Sequence, residues 1–132
     1  MDNNIEKFET LLQQIILNSL SYHDTDREEK FYHMFVLGLI QALGNDYWIT
    51  SNRENGYGRY DILLNPKNKN KKAFILEFKV SENENYLENK ALEGLNQILE
   101  KHYDTELKEK GVSNITYISI AFCDKKIFIK YR

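Results

Sequence analysis

Residues 59–80 read RYDILLNPKNKNKKAFILEFKV, and the fold turns on this stretch. Its second half, Ala73 to Val80, is the strongest strand signal in the chain, apolar except at Glu77 and Lys79. Side chains alternate along a strand, so Ile75, Glu77 and Lys79 share one face and Phe74, Leu76, Phe78 and Val80 the other. The first half, Arg59 to Leu64, reads as a second strand, with Asp61 set among Tyr60, Ile62, Leu63 and Leu64. Asn65-Pro66 is expected to stop that strand, and a lysine–asparagine loop follows. If the two strands pair as a hairpin, Asp61 and Glu77 face each other.

Charges on a buried strand are costly unless something compensates them, by several kcal/mol per ion on the order known for proteins. A divalent cation is a sufficient reason. Two carboxylates make a hard oxygen site for Mg²⁺ or Mn²⁺, with water completing the shell. A cation there activates water and stabilises charge on a phosphoryl oxygen. A lysine two residues on holds the attacking water or offsets developing negative charge. The pattern predicts phosphodiester hydrolysis by Asp61, Glu77 and Lys79. A purely structural ion pair of Lys79 with Asp61 or Glu77 is the competing reading. Glu-x-Lys is a cheap pattern that also starts at Glu28, Glu88 and Glu106, but those copies fall on helical segments.

Outward from the hairpin, Tyr47 to Ser51 is β-prone, and Asn55-Gly56-Tyr57-Gly58 is a turn. Arg53 and Arg59 bracket that turn, placed either to touch a phosphate backbone or to pair with Glu54 and Asp61. Residues 4–19 have one apolar helical face, and Thr25 with Glu28 forms a capping box for a second, largely buried helix. Residues 85–102 return to helical spacing, and 104–110 extend them as a charged helical piece ended by Gly111. Ile115 to Phe122 and Ile127 to Tyr131 close the chain as strands, with a turn at Asp124-Lys125. The order ααβββαββ predicts an α/β fold, a mixed sheet of about four to five strands with helices on both faces. The crossover through helix 85–102 makes strands 73–80 and 115–122 parallel neighbours.

The 132 residues form one expected domain, with 1–24 an N-terminal helix and break and 25–132 the core. The single cysteine, Cys123, rules out an internal disulfide and reads as a buried core thiol; a reducing, cytoplasmic setting is expected. No stretch is apolar enough for a membrane span, and the acidic start does not resemble a secretory signal. The formal net charge of −2 weighs against a strong nucleic-acid binder, yet Lys67, Lys69, Lys71 and Lys72 cluster within one loop. That loop reads more simply as a solvated hairpin connection. Aromatic residues alternate with apolar ones on strands, which favours core packing over base stacking.

Together, SNRENGYGRYDILL (51–64), AFILEFKV (73–80), EKFYHMFVLGLI (29–40) and ALEGLNQILEKHY (91–103) resemble the PD-(D/E)XK nuclease superfamily. More narrowly they resemble a bacterial subfamily whose members usually lie C-terminal to an AAA-type ATPase-like region. The likeness runs from about residue 18 onward. It implies a restriction-endonuclease-like core acting on nucleic acid, chiefly DNA, with Mg²⁺ or Mn²⁺. It matches Asp61 and Glu77 to the metal-binding acids and Lys79 to the catalytic lysine. Glu29 matches an acid that often joins the metal site, and Gln97 and Tyr103 match polar positions near the site edge. Tyr60 stands where the motif's name has proline. His33 shares a helix face with Glu29, as either a core histidine or an auxiliary to the site. The expected partners are nucleic acid and an ATPase-like protein or a second copy of the chain. The first helix has three readings: cover for the sheet, dimer contact, or docking segment for the ATPase-like partner. A non-catalytic interaction module keeping the same fold is the alternative function.

Overall fold

The computed structural model describes residues 6, 9–10, 12–14, 29–42, 46–51, 61–100, 104–123 and 126–132; at 29–31, 34, 35, 39, 42 and 106 it describes the backbone alone. The predicted capping box at Thr25–Glu28 and the turn at Asp124-Lys125 lie outside the described residues. The elements are α1 (Glu29–Ala42), β1 (Tyr47–Ser51), β2 (Ile62–Pro66), β3 (Ala73–Val80), α2 (Leu87–Glu100), α3 (Thr105–Glu109), β4 (Ile115–Cys123) and β5 (Lys126–Tyr131). A single 3-10 turn, Glu84–Tyr86, leads into α2, and its start is fixed by Asn83, whose side chain accepts from the Asn85 amide.

The five strands form one mixed sheet in the order β1-β2-β3-β4-β5. β1, β2 and β3 run as an antiparallel meander, β4 lies parallel to β3, and β5 returns antiparallel to β4. The parallel step follows from the helical crossover between β3 and β4, as expected. Each face of the sheet has its own core, and the alternation read from β3 sets which residue goes where. Tyr32, Val36 and Ile40 of α1 pack with Ile62, Leu76, Phe78, Ile118, Ile120 and Phe122. Tyr32 stacks on Phe122 at 4.2 Å between ring centroids. On the opposite face, Ile98 of α2 and Leu107 of α3 cover Leu63, Ala73 and Ile75. Leu87 and Ala91 cover Ala121.

Two expected boundaries move. Asn65-Pro66 does not stop β2: Asn65 pairs with Trp48 and Pro66 with Tyr47. Proline is tolerated at a strand's last position, where no further ladder bond is asked of it. The charged piece after α2 is a separate short helix, α3, ended by Gly111 at φ +88. There the Val112 amide reaches the Leu107 carbonyl and the Gly111 amide the Lys108 carbonyl, the paired bonds of a glycine-ended helix. Cys123 is half-buried at the end of β4 rather than fully buried. Among the described residues, no helix is long and apolar enough to cross a membrane.

The N-terminal helical residues sit on the edge strand β5. Leu12 is buried in the α1-side core. The Gln13 side-chain oxygen accepts from the Ile127 amide, and a Glu9 carboxylate oxygen accepts from the Ile129 amide, both at 2.9 Å. Of the three readings of this segment, the contacts show it covering the sheet.

Asp104 ties α3 to β4. Its carboxylate accepts from the Tyr117 hydroxyl at 2.6 Å and from the Lys108 ammonium at 2.7 Å. Burial pushes this carboxyl up, but the bonds from Lys108 and Tyr117 outweigh it and hold its pKa below the ordinary carboxylate value. A depressed folded-state pKa stabilises the fold above the unfolded-state value and ceases to do so as pH falls through the folded one. Asp104→Asn is therefore expected to cost about 1–2 kcal/mol at neutral pH, mostly through Tyr117, since Lys108 is exposed. Thermal melts of both proteins should begin to approach each other as pH falls through the ordinary carboxylate range and meet only below the depressed folded-state pKa, where the wild-type carboxylate is protonated.

Candidate active site

β2 begins at Ile62, paired with Leu76, and the amide of Asp61 just before it also reaches the Leu76 carbonyl, at 3.0 Å. Its carboxylate accepts from the Phe78 amide at 2.8 Å. Asp61 thus stands beside Glu77 at the end of the β2–β3 ladder without being its ladder partner, where the hairpin reading expects the two to be paired. Both carboxylates are buried, each 3% exposed. They also lie within hydrogen-bonding reach of one another. Burial holds the Asp61 carboxyl above its usual value, against the opposing pull of the Phe78 amide, Glu77, His33 and Lys79.

Lys79, two residues along β3, is half-buried, and its ammonium donates to Gln97 Oε1 on α2 at 2.7 Å. Gln97, expected near the site edge, thus touches Lys79 directly. His33 on α1 is buried; its Nε2 lies 2.6 Å from Ser51 Oγ and its Nδ1 lies 3.8 Å from Asp61 Oδ1, with the ring edge-on to Phe78. His33 thus joins the end of β1 to the Asp61 carboxylate. Sequence position brings Glu29 to the start of α1, where its side chain lies outside the described residues, as do Arg53, Arg59 and Tyr103 entirely.

Two residues that the sequence reading passed over stand beneath Lys79. Gly94 of α2 is buried against β3 and β4, and a Cβ there would lie 2.3 Å from Ser119 Oγ and 3.2 Å from Lys79 Cγ. Ser119 is paired in register with Glu77, fully buried, and among the described residues its hydroxyl has no hydrogen-bond partner. Both had a signal in the sequence: a glycine inside a helical pattern, and a serine among the apolar residues Ile118, Ile120, Ala121 and Phe122.

The donor set suits a hard divalent cation. Among the described residues no cluster of three or more His, Cys, Asp or Glu side chains is gathered for a metal. Two adjoining carboxylates, however, are the usual protein share of a Mg²⁺ shell otherwise made of water and phosphate oxygens. Two like charges buried side by side call for a proton or a cation between them.

No curated protein and no solved structure matches the chain significantly. A family model described as the PD-(D/E)XK nuclease superfamily matches residues 27–132, a span that holds every strand together with Asp61, Glu77 and Lys79, and the chain belongs to that superfamily.

Proposed function

We propose that this chain is a divalent-metal-dependent nuclease that hydrolyses phosphodiester bonds in DNA. One observation carries the reading: Asp61 and Glu77 are buried side by side, and Lys79 follows Glu77 on the same face of β3. Asp61 and Glu77 would hold Mg²⁺ or Mn²⁺, with Glu29 as a further acid from α1. A cation there supplies Lewis acidity toward the phosphoryl oxygen and acidifies water. The Phe78 amide fixes one Asp61 oxygen, leaving the other turned toward His33 and the site. Gln97 holds the Lys79 ammonium on the carboxylate face, where it orients the attacking water and offsets charge on the phosphate. Arg53 and Arg59 are the proposed phosphate contacts and Tyr103 a further edge residue.

The test is cleavage of single-stranded, double-stranded and branched DNA, and of RNA, with Mn²⁺ or Mg²⁺. Cutting is expected on DNA, to vanish with a chelator, and to fall roughly 10²–10³-fold in Lys79→Ala, the loss typical of removing one charge-stabilising donor. Cutting that survives in Lys79→Ala would remove the assignment of this site. A folded protein that cuts nothing would favour the interaction module.

The metal arm has its own readout. A cation that binds only the folded state raises the melting temperature with its concentration. Excess Mn²⁺ is expected to raise that of the wild type and leave that of Asp61→Asn unmoved in a thermal-shift titration.

A further inference from the structure

Trp48 is out of place for a core aromatic. It lies on the edge strand β1 and is 62% exposed. Strand register fixes its direction. Trp48 pairs with Asn65; Asn65 shares a face with Leu63 by alternation; Leu63 pairs with Ile75, which shares its face with Glu77 and Lys79. The indole therefore stands on the same sheet face as Glu77 and Lys79. Counting strand rise and strand spacing, it lies roughly 16 Å from Glu77. α2 packs over β3, β4 and β5, so among the described residues no helix packs over this face at β1.

The surroundings are basic. Lys67 Nζ sits 4.5 Å from the centre of the indole ring. The β2–β3 connection also carries Lys69, Lys71 and Lys72, and is held in a turn by Asn68, which accepts from the Asn70 and Lys71 amides. The Lys69 stem reaches the Gly111 turn after α3, beside Lys110. Among the described residues, the acids nearest in sequence to this connection and to the Gly111 turn are Asp46 and Glu109, outnumbered by the lysines. With one ring face under a cation, the exposed remainder of the indole is the other face and the edges. An open indole face beside the Lys67 ammonium, next to a lysine-rich connection, is complementary to an unpaired base and its phosphates. A duplex offers phosphates but no base face.

We propose that Trp48, with Lys67 and the lysines of the 67–72 connection, is a stacking subsite for single-stranded DNA, displaced from the catalytic carboxylates along one sheet face. It rests on the nuclease reading for the choice of DNA, and it makes a single-stranded segment part of what the protein recognises. Lys67 fixes the indole and meets a phosphate; Trp48 takes a base irrespective of its identity, because every base has a π-face.

Trp48 is the only tryptophan in the chain, so its emission reports this site alone. The experiment titrates oligothymidylate into the full chain in metal-free buffer, following tryptophan emission and, separately, anisotropy of labelled oligonucleotide. Saturable quenching is expected. Trp48→Ala should weaken binding roughly fivefold or more, the loss of one stacked base, and Trp48→Phe should restore part of it. Unchanged emission, or equal affinity in Trp48→Ala, overturns the subsite. Equal quenching by heparin reduces it to charge alone, and equal quenching by duplex removes the single-strand assignment. Tighter binding of oligouridylate would transfer it to RNA. Cleavage assays keep the two proposals apart: cutting without quenching sinks the subsite alone, and quenching without cutting sinks the nuclease alone.

Discussion

Glu77→Gln is expected to abolish cleavage and, in metal-free buffer, to make the protein more stable than the wild type. The two effects share a cause. Asp61 and Glu77 are buried side by side, and without a cation between them their like charges are a cost to the fold. Glutamine keeps the shape, removes one charge and can donate to Asp61. The expected gain is about 1–2 kcal/mol, or roughly 3–6 °C in melting temperature for a domain of this size. Cleavage should drop by a thousandfold or more, since several kcal/mol of transition-state stabilisation depend on the cation, at about 1.36 kcal/mol per decade. With excess Mn²⁺ the order of stability should reverse, because only the wild type gains from binding. Melting curves of both proteins in chelator and in Mn²⁺ check all of this. A variant that melts lower than wild type in chelator would mean that Glu77 serves the fold as a structural partner, and the metal reading would fail.

Gly94→Ala should be among the most damaging single-methyl additions available to this chain. The new Cβ would meet Ser119 Oγ at 2.3 Å, closer than any real contact, with Ser119 Cβ and Lys79 Cγ just beyond it. Alanine is the better helix former by about 1 kcal/mol, so a loss here measures packing against the sheet and not helix propensity. Forcing α2 away from β3 and β4 is expected to cost about 1–3 kcal/mol net. It also shifts Gln97, three residues on in the same helix, and with it the anchor of Lys79. Activity should therefore fall even where the protein remains folded, by roughly tenfold to a hundredfold for a displacement on the order of 1 Å. The remedy identifies the cause. Ser119→Ala removes the clashing oxygen, and because that hydroxyl is buried without a partner among the described residues, the change should be close to neutral alone. Combined with Gly94→Ala it should recover much of the lost stability, as denaturant melts of the four proteins would show. Strict additivity would refute the contact.

The hairpin that opens the sequence reading was legible because the anomaly was local. Two acids and a lysine in apolar strands stand out at period two, and the antiparallel pairing that brings Asp61 close to Glu77 follows from the hairpin, although the bond of Asp61 to Leu76 at its end does not. The parallel β3–β4 step followed from helix length. Gly94 and Ser119 escaped notice because their meaning is a distance between α2 and β4, elements that no periodicity relates. The reach of Pro66 into β2 depended on β1, whose pairing supplies a partner that local turn chemistry cannot foresee. The exposure of Trp48 was hidden for a similar reason: aromatic residues on strands are expected to pack in the core, and only the extent of α2 shows that no described helix packs over β1. The bond from Lys79 to Gln97 crosses from β3 to α2, which again no periodicity relates.

The two bonds from Glu9 and Gln13 to the β5 amides have a consequence for how this protein fails. An open strand edge is a template on which another copy can add its own strand, and the outward amides of Ile127 and Ile129 belong to such an edge. Here the side chains of a helix saturate them, so the template is masked without a further strand being spent. The mask depends on two long side chains and the seating of Leu12, far less than the cooperativity that holds β4 to β5. Conditions that loosen the N-terminal helical segment while the sheet survives would therefore open the β5 edge to edge-to-edge pairing between copies, and solubility would be lost before the sheet itself unfolds.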